Sequence, residues 1–193
     1  MHNTYFLMRH GESVANIMGV VLSNPEDGKK TAYGLTHSGE EQVRQSVLEQ
    51  KKSGALDENT LLITSPFSRT MRTAEIAKEI LESIPAIQSD ERLRERWFGN
   101  WEKTLHTAYA NVWVEDKKNP THTIENVEST SDVQERTMSL IHDLENQYTD
   151  KKILLVSHGD VLHILLTGLL KKSPADHRDI RHFETAEIRT CDL

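Results

Sequence analysis

The sequence predicts an α/β fold built on a mostly parallel β-sheet. Three short apolar runs, Tyr5–Met8, Leu61–Thr64 and Ile153–Ser157, have the length and aliphatic character of buried strands. A helix-like pattern of apolar residues follows each of the last two runs. Strands that alternate with helices are typical of parallel sheets, because a parallel pair needs a crossover connection.

The predicted helices have recognisable ends. Thr36 or Ser38 can cap a polar helix that continues to about Lys52. A second helix starts at Ser68, and its apolar residues recur every three or four positions as far as Ile84, where Pro85 should end it.

The second half of the chain predicts two more helices and one strand. Ser129 and Asp132 resemble a capping box that opens a helix to about Tyr148. An apolar helix spans Gly159–Leu170, and Glu184–Asp192 is a candidate last strand. The segments 19–34 and 103–130 lack periodicity, so we expect a loop and an irregular excursion inside a single domain of residues 1–193.

Composition excludes several classes of protein. The 193 residues include 23 Lys and Arg against 30 Asp and Glu, a net charge of −7, and no basic block predicts nucleic-acid binding. A single cysteine, Cys191, rules out an internal disulfide framework. The longest apolar stretch, Val161–Leu170, is too short to span a membrane, and no secretory signal is visible. We therefore expect a cytoplasmic protein.

Cationic side chains stand at three strand ends. The first strand ends in Arg9-His10-Gly11, the second leads to Arg69 through Ser65, and the third ends in Ser157-His158-Gly159. Ligands of open α/β sheets bind outside the carboxyl ends of the strands, where helix N-termini favour anions. Arginine binds phosphate oxygens through its planar fork, and histidine can act as a nucleophile. These junctions predict a site for a phosphoryl group.

Each of these residues has a simpler interpretation when taken alone. A single histidine after a strand is usually structural, and Arg69 in a first helical turn is usually solvated. His158 and His163 are five positions apart, not the four that place two metal ligands on one helical face. A Walker loop, a dinucleotide-binding glycine motif and a nucleophile elbow are all missing. We expect neither a metal nor a cofactor.

Six blocks in order resemble the histidine phosphatase superfamily, also called phosphoglycerate mutase-like. They cover nearly the whole chain, and they are Arg9-His10-Gly11-Glu12-Ser13-x-x-Asn16, Gly34-Leu35-Thr36-x-x-Gly39-x-x-Gln42, Ser65-Pro66-x-x-Arg69-x-x-x-Thr73-Ala74, Leu93-Arg94-Glu95-x-x-Phe98-Gly99-x-Trp101-Glu102, Glu128-Ser129-x-x-Asp132-Val133-x-x-Arg136 and Val156-Ser157-His158-Gly159. The resemblance implies a three-layer α/β/α sandwich. The chain departs from the family pattern at Lys103, at Asn126-Val127, where two glycines are common, and in the long loop Gly19–Lys30.

The resemblance also implies roles for particular residues. His10 would be the nucleophile that forms a phosphohistidine, held neutral by a backbone carbonyl on one ring nitrogen. Arg9, Arg69 and a cationic His158 would bind the phosphoryl oxygens, with help from Asn16 and the backbone at Gly11 and Gly159. Glu95 would be the general acid and then the base; spacing alone would make it a surface carboxylate between Arg94 and Arg96.

Several functions remain open at this point. The residues favour a metal-independent phosphatase for a small phosphorylated metabolite. A phosphoglycerate mutase is less favoured, because those of the family carry a longer insertion after the acid glutamate. A protein phosphatase of the same fold and a non-catalytic member are further alternatives. The aromatic residues of the excursion either line the pocket or, as we prefer, pack its core: Trp97, Phe98, Trp101, Tyr109 and Trp113. Oligomeric state stays open.

Overall fold

The sheet has five strands in the order β3-β2-β4-β1-β5. A computed structural model describes residues 1–191, and the part of the predicted last strand at Asp192 lies outside them. The strands are β1 (Thr4–Arg9), β2 (Leu61–Thr64), β3 (Gln88–Ser89), β4 (Lys152–Ser157) and β5 (Ile188–Thr190). The first four are parallel, and β5 pairs with β1 in the antiparallel sense.

Helices cover both faces of this sheet, which confirms the three-layer sandwich. They are α1 (Val14–Met18), α2 (Pro25–Gly28), α3 (His37–Lys52), α4 (Ser68–Leu81), α5 (Tyr109–Lys118), α6 (Thr130–Gln147) and α7 (Gly159–Leu169). Alternate residues of the central strands point to opposite faces. Tyr5 and Leu7 pack against α6 and α7, whereas Phe6 and Met8 pack against α3 and α4.

The expected caps of two helices are present. The Thr36 side chain accepts a hydrogen bond from Gly39 N, and the Ser129 side chain accepts one from Asp132 N. The second helix ends earlier than expected. It stops at Leu81, because Glu82 adopts a left-handed conformation with φ 56° and its N–H satisfies helix carbonyls there. Pro85 therefore lies beyond the helix end and does not cause it.

The excursion is more regular than its sequence predicts. Residues 109–118 form the helix α5, which the sequence analysis missed. Val112 of this helix packs into a small separate cluster with Val21, Phe98 and Val127, which come from other parts of the chain. The helix itself therefore lacks the repeated apolar residues that would predict it from the sequence. The loop expected at residues 19–34 contains the short helix α2 and a 3₁₀ turn at Thr31–Tyr33.

Within residues 1–191, the helices are all too short or too polar to cross a membrane.

Candidate active site

A cavity of about 460 Å³ opens at the carboxyl edge of the sheet. The parallel strands β1 and β4 end beside each other there, since Arg9 pairs with Ser157. This register brings the Arg9-His10 turn next to His158, and Arg69 joins them from the first turn of α4. The cavity is lined by Arg9, His10, Asn16, Arg69, Glu95 and Gly159 among the residues singled out from the sequence. His158 is fully buried behind them.

His10 is buried and held in one tautomer. Its Nδ1 lies 2.7 Å from the carbonyl oxygen of Gly11, so Nδ1 carries the proton and donates it. Its Nε2 accepts a hydrogen bond of 3.1 Å from Arg69 Nε. Burial, then the charges of Arg69 and Arg9, holds the pKa of His10 well below its usual range. The ring is therefore neutral, with a lone pair on Nε2, as expected.

His158 differs from the expectation. Arg69 Nη2 donates to its Nδ1 at 3.0 Å, so Nδ1 is an acceptor and the ring proton sits on Nε2, 2.9 Å from Ser65 Oγ. Burial and then the charge of Arg69 hold the pKa of His158 well below its usual range. The expectation of a cationic His158 was wrong, because a buried imidazole beside a guanidinium gives up its proton.

The positive charge of the site comes from two arginines. Arg9 Nη1 donates to Phe183 O at 2.7 Å and contacts His182 Nε2 at 3.1 Å, which fixes the guanidinium. Arg9 Nε and Arg69 Nη1 are buried, and neither finds a hydrogen-bond partner within residues 1–191. Buried N–H groups of this kind are costly unless something accepts from them. Their arrangement beside His10 suits an anion.

Glu95 is a buried carboxyl and not the surface residue that spacing alone suggested. It is 8% exposed, and its Oε2 lies 3.7 Å from Arg69 Nη2 and 3.6 Å from His158 Nδ1. Burial raises the pKa of Glu95 to about 7, against the opposing charge of Arg69. A carboxyl poised near neutral pH can both donate and accept a proton.

The second sequence block supports the turn that carries His10. A Cβ on Gly11 would lie 2.4 Å from Gly39 O, and one on Gly39 would lie 2.0 Å from Glu12 O, so both positions need glycine. Gln42 Oε1 accepts from Glu12 N at 3.0 Å. These contacts join α3 to the turn and fix the direction in which His10 enters the cavity.

Asn16 and Gly159 both lie on the cavity wall. Asn16 Oδ1 accepts from Ser13 N at 3.0 Å and from Ser13 Oγ at 2.9 Å, which leaves its amide Nδ2 as the available donor. Gly159 begins α7 next to Arg9; a Cβ there would lie 3.5 Å from Arg9 Nε.

The aromatic residues of the excursion divide between the two roles considered. Trp97 and Trp101 are outside the cavity lining, and Phe98 is fully buried in the small core. Tyr109 and Trp113 line the cavity and form its outer wall with Arg178. Packing is therefore confirmed for Phe98 and Trp101, and Trp113 lines the cavity. Tyr109 does both, because it also packs against the small core.

Behind the outer wall lies a buried ionic network that the sequence analysis missed. Arg96 is fully buried and donates to both oxygens of Asp116, at 2.7 and 2.6 Å, and to Asp160 Oδ2 at 3.2 Å. The cavity residues Arg178 and His182 were also missed as site residues. They come from the segment after α7, which has no strand-to-helix junction. Side-chain contacts join this segment to the site, since Arg178 lies 3.6 Å from Asp160 and His182 contacts Arg9.

The described residues include no group of three His, Cys, Asp or Glu side chains that could hold a metal ion. Two exposed lysines pair with acidic residues: Lys29 with Glu91 and Lys117 with Asp176.

Residues 5–193 match the histidine phosphatase superfamily (branch 1), and the chain belongs to this family. One relative is an uncharacterised phosphatase, PhoE, of Bacillus subtilis (strain 168). It is 31% identical over 170 residues, which cover 87% of this chain and 78% of the relative.

Two further comparisons cover almost the whole chain. A probable phosphoglycerate mutase, GpmB, of Photorhabdus laumondii is 28% identical over 97% of this chain and 81% of its own. A mycobacterial glucosyl-3-phosphoglycerate phosphatase, solved as a complex with VO3, has the same fold, with a TM-score of 0.80 at 21% identity. That match covers 97% of this chain and 91% of the other.

Proposed function

We propose that the protein is a phosphomonoester phosphatase that acts on a small phosphorylated metabolite through a phosphohistidine on His10. The observation that carries this proposal is the pair of buried N–H groups, Arg9 Nε and Arg69 Nη1, that find no acceptor within residues 1–191, in a cavity that also holds a neutral histidine. A phosphoryl group supplies acceptors for both. The family and the phosphatases among its relatives support the same activity.

In the first step His10 Nε2 attacks the phosphorus atom. The Nε2 lone pair forms the P–N bond, and the ester P–O bond breaks with its electron pair going to the leaving oxygen. Glu95, whose pKa is about 7, gives its proton to that oxygen. Arg9 and Arg69 stabilise the charge on the phosphoryl oxygens. The proton stays on His10 Nδ1 throughout, where it donates to Gly11 O.

In the second step water replaces the alcohol. The Glu95 carboxylate takes a proton from the water, the water oxygen bonds to phosphorus, and the P–N bond breaks to return the lone pair to His10. Inorganic phosphate leaves, and Glu95 is protonated again for the next turnover. Every proton is accounted for without a metal-bound water, so we expect full activity in the presence of EDTA.

The alternative is a mutase, in which the phosphoryl group returns to another hydroxyl of the same alcohol. The chain between Glu95 and His158 is short and lacks the longer insertion that the mutases of the family carry after the acid glutamate. This favours attack on the phosphohistidine by water. Phosphorus NMR of one sample supplied with 3-phosphoglycerate distinguishes the two. We expect inorganic phosphate with little positional isomer. Rapid formation of 2-phosphoglycerate without phosphate release would contradict the proposal.

A further inference from the structure

Tyr109 lines the cavity and carries a hydroxyl group that the proposed mechanism does not use. Its ring is fixed between Phe98, at 4.6 Å and 75°, and Trp113, at 5.6 Å and 8°. Within residues 1–191 the Tyr109 hydroxyl has no hydrogen-bond partner. Burial, then the nearby Glu95 carboxyl, raises the pKa of Tyr109, so the group keeps its proton. A donor held in this way is preorganised for a ligand.

The Trp113 ring is already engaged by two neighbours. Tyr109 stacks on it with ring centres 5.6 Å apart, and the Arg178 guanidinium carbon lies 3.7 Å from its ring centre. The indole N–H donates to Asp160 Oδ1 at 3.1 Å. A nucleobase needs an aromatic face to stack on. The wall offers hydrogen-bonding groups instead: Tyr109 and Arg178 as donors, and Asp160 Oδ1 as an acceptor.

The fixed charges of the cavity match a phosphoryl dianion alone. Three arginines, Arg9, Arg69 and Arg178, line the cavity with two acidic residues. One is Asp160, and the other is Glu95, whose raised pKa of about 7 keeps it largely protonated at pH 6. Arg178 Nη1 lies 3.6 Å from Asp160 Oδ1, so these two charges largely offset each other. Behind them, Arg96 and Asp116 form a buried pair of their own. A phosphoryl dianion then neutralises Arg9 and Arg69, and any further negative charge on the substrate would be uncompensated.

We propose that this outer subsite takes a neutral polyhydroxyl alcohol, a sugar or polyol, as the leaving group of the phosphomonoester, and that Tyr109 is its specificity-determining contact. The inference rests on the proposed function. A hydroxyl group both donates and accepts, so it suits a wall that carries donors and an acceptor. A plain alkyl group would bury the Tyr109 hydroxyl without a partner, and that loss weakens binding.

The test compares kcat/KM for phosphomonoesters that differ only in the alcohol. In glycerol 3-phosphate and sorbitol 6-phosphate the alcohol is uncharged and hydroxylated, whereas in propyl phosphate it has no further hydroxyl group. The alcohol of 3-phosphoglycerate carries a carboxylate, and that of AMP carries a nucleobase. At pH 6 we expect the hydroxylated esters to exceed propyl phosphate by about 3- to 10-fold. We expect them to exceed 3-phosphoglycerate by on the order of tenfold.

The Tyr109→Phe variant removes the hydroxyl and keeps the stacked ring. We expect it to lower the ratio of kcat/KM for glycerol 3-phosphate over propyl phosphate by about 3- to 10-fold. Tyr33→Phe is the matched control, because it removes the same atom from a residue outside the cavity, and that ratio should not change.

Two results would overturn the inference. One is faster hydrolysis of 3-phosphoglycerate or AMP than of the esters of uncharged, hydroxylated alcohols, and the other is an equal loss of kcat/KM on all substrates in Tyr109→Phe. Failure of the proposed function is distinguishable from both. In that case no ester, p-nitrophenyl phosphate included, would release phosphate in a manner that depends on His10.

Discussion

The phosphoryl end of the cavity and its outer wall are built from different parts of the chain and handle charge in different ways. At the phosphoryl end, Arg9, His10 and His158 stand at the ends of the central strands β1 and β4, where the sheet itself fixes their separation. The outer wall comes from α5 and from the segment after α7, and side-chain contacts such as Arg178 on Trp113 hold it together.

The difference in charge follows from this. The phosphoryl end keeps both histidines neutral, and two of its arginine N–H groups have no acceptor in the described part of the chain, so it is prepared for an incoming anion. The outer wall pairs its charges internally, through Arg96 with Asp116 and Arg178 with Asp160. We therefore expect one end of the cavity to recognise the charge of the phosphoryl group and the other to recognise the shape and hydrogen-bonding groups of the alcohol.

The largest effect should come from His10→Ala. Removal of the nucleophile should lower kcat/KM by at least about 10³-fold, because the arginines alone can bind the ester but cannot form the P–N bond. Rapidly quenched wild-type enzyme should carry an acid-labile phosphate on His10, detected by mass spectrometry. His142→Ala, on the exposed side of α6, is the control and should retain full turnover. Normal turnover in His10→Ala would contradict the assignment.

Glu95→Gln should lower kcat/KM by a smaller factor on some substrates, because the size of the loss should depend on the leaving group. Alkyl esters need a proton on the leaving oxygen, so we expect a loss of about 10²- to 10⁴-fold for them and a smaller loss for p-nitrophenyl phosphate. Because the acid must be protonated and the pKa of Glu95 is about 7, wild-type turnover of alkyl esters should fall as pH rises through 7. Equal losses on both esters, or an unchanged pH profile in the variant, would mean that Glu95 only shapes the cavity.

The phosphoryl end is the part that sequence could predict. Three strand-to-helix junctions each carry a cation, and the carboxyl ends of parallel strands must meet at one edge. That geometry predicts that Arg9, His10, Arg69 and His158 lie together at this edge of the sheet. It did not give the protonation state of His158, because the contact with Arg69 Nη2 depends on how the two side chains pack.

The outer wall could not be predicted in the same way. The helix α5 has too few apolar residues in register, since its small core draws on Val21, Phe98 and Val127 from distant parts of the chain. Glu95 lay between Arg94 and Arg96, a pattern typical of a solvated surface. Arg96 is instead fully buried, because it forms ion pairs with two carboxylates, those of Asp116 and Asp160, from different segments. The sequence around Arg96 does not predict these long-range contacts.

The third prediction tests whether the outer wall depends on that network. Arg96→Met keeps the volume but leaves Asp116 and Asp160 buried without their cation, which should lower the free energy of unfolding by about 3–5 kcal/mol. Arg92→Met, which breaks the half-exposed pairs with Asp90 and Asp143, is the control and should cost about 0–1 kcal/mol. Urea unfolding of both variants provides the measurement. Similar losses in the two would show that the buried network contributes no more than a surface pair.

The smallest effect concerns His163, which packs beneath the residues that hold Arg9. Its ring centre lies 5.7 Å from that of His182 and 5.4 Å from that of Phe183. Nε2 donates to Arg181 O at 3.2 Å, while Nδ1 is buried and has no partner in the described part of the chain. Burial lowers the pKa of His163 to about 4, although Asp160 opposes this shift and Arg178 reinforces it.

The sign of the pH effect follows from this lowered pKa. Below about pH 6.5 the unfolded chain binds a proton at His163 that the folded protein refuses, so stability falls as pH decreases towards 4. Between pH 7 and pH 5 the loss due to this one group should be about 1–2 kcal/mol. His163→Leu lacks this group, so its urea midpoint should decline less steeply over that range, whatever its stability at pH 7. Some decline should remain, because the other buried histidines are still present. Parallel declines in variant and wild type would mean that His163 accepts its proton in the folded protein, and that this side of the phosphoryl end tolerates a buried positive charge.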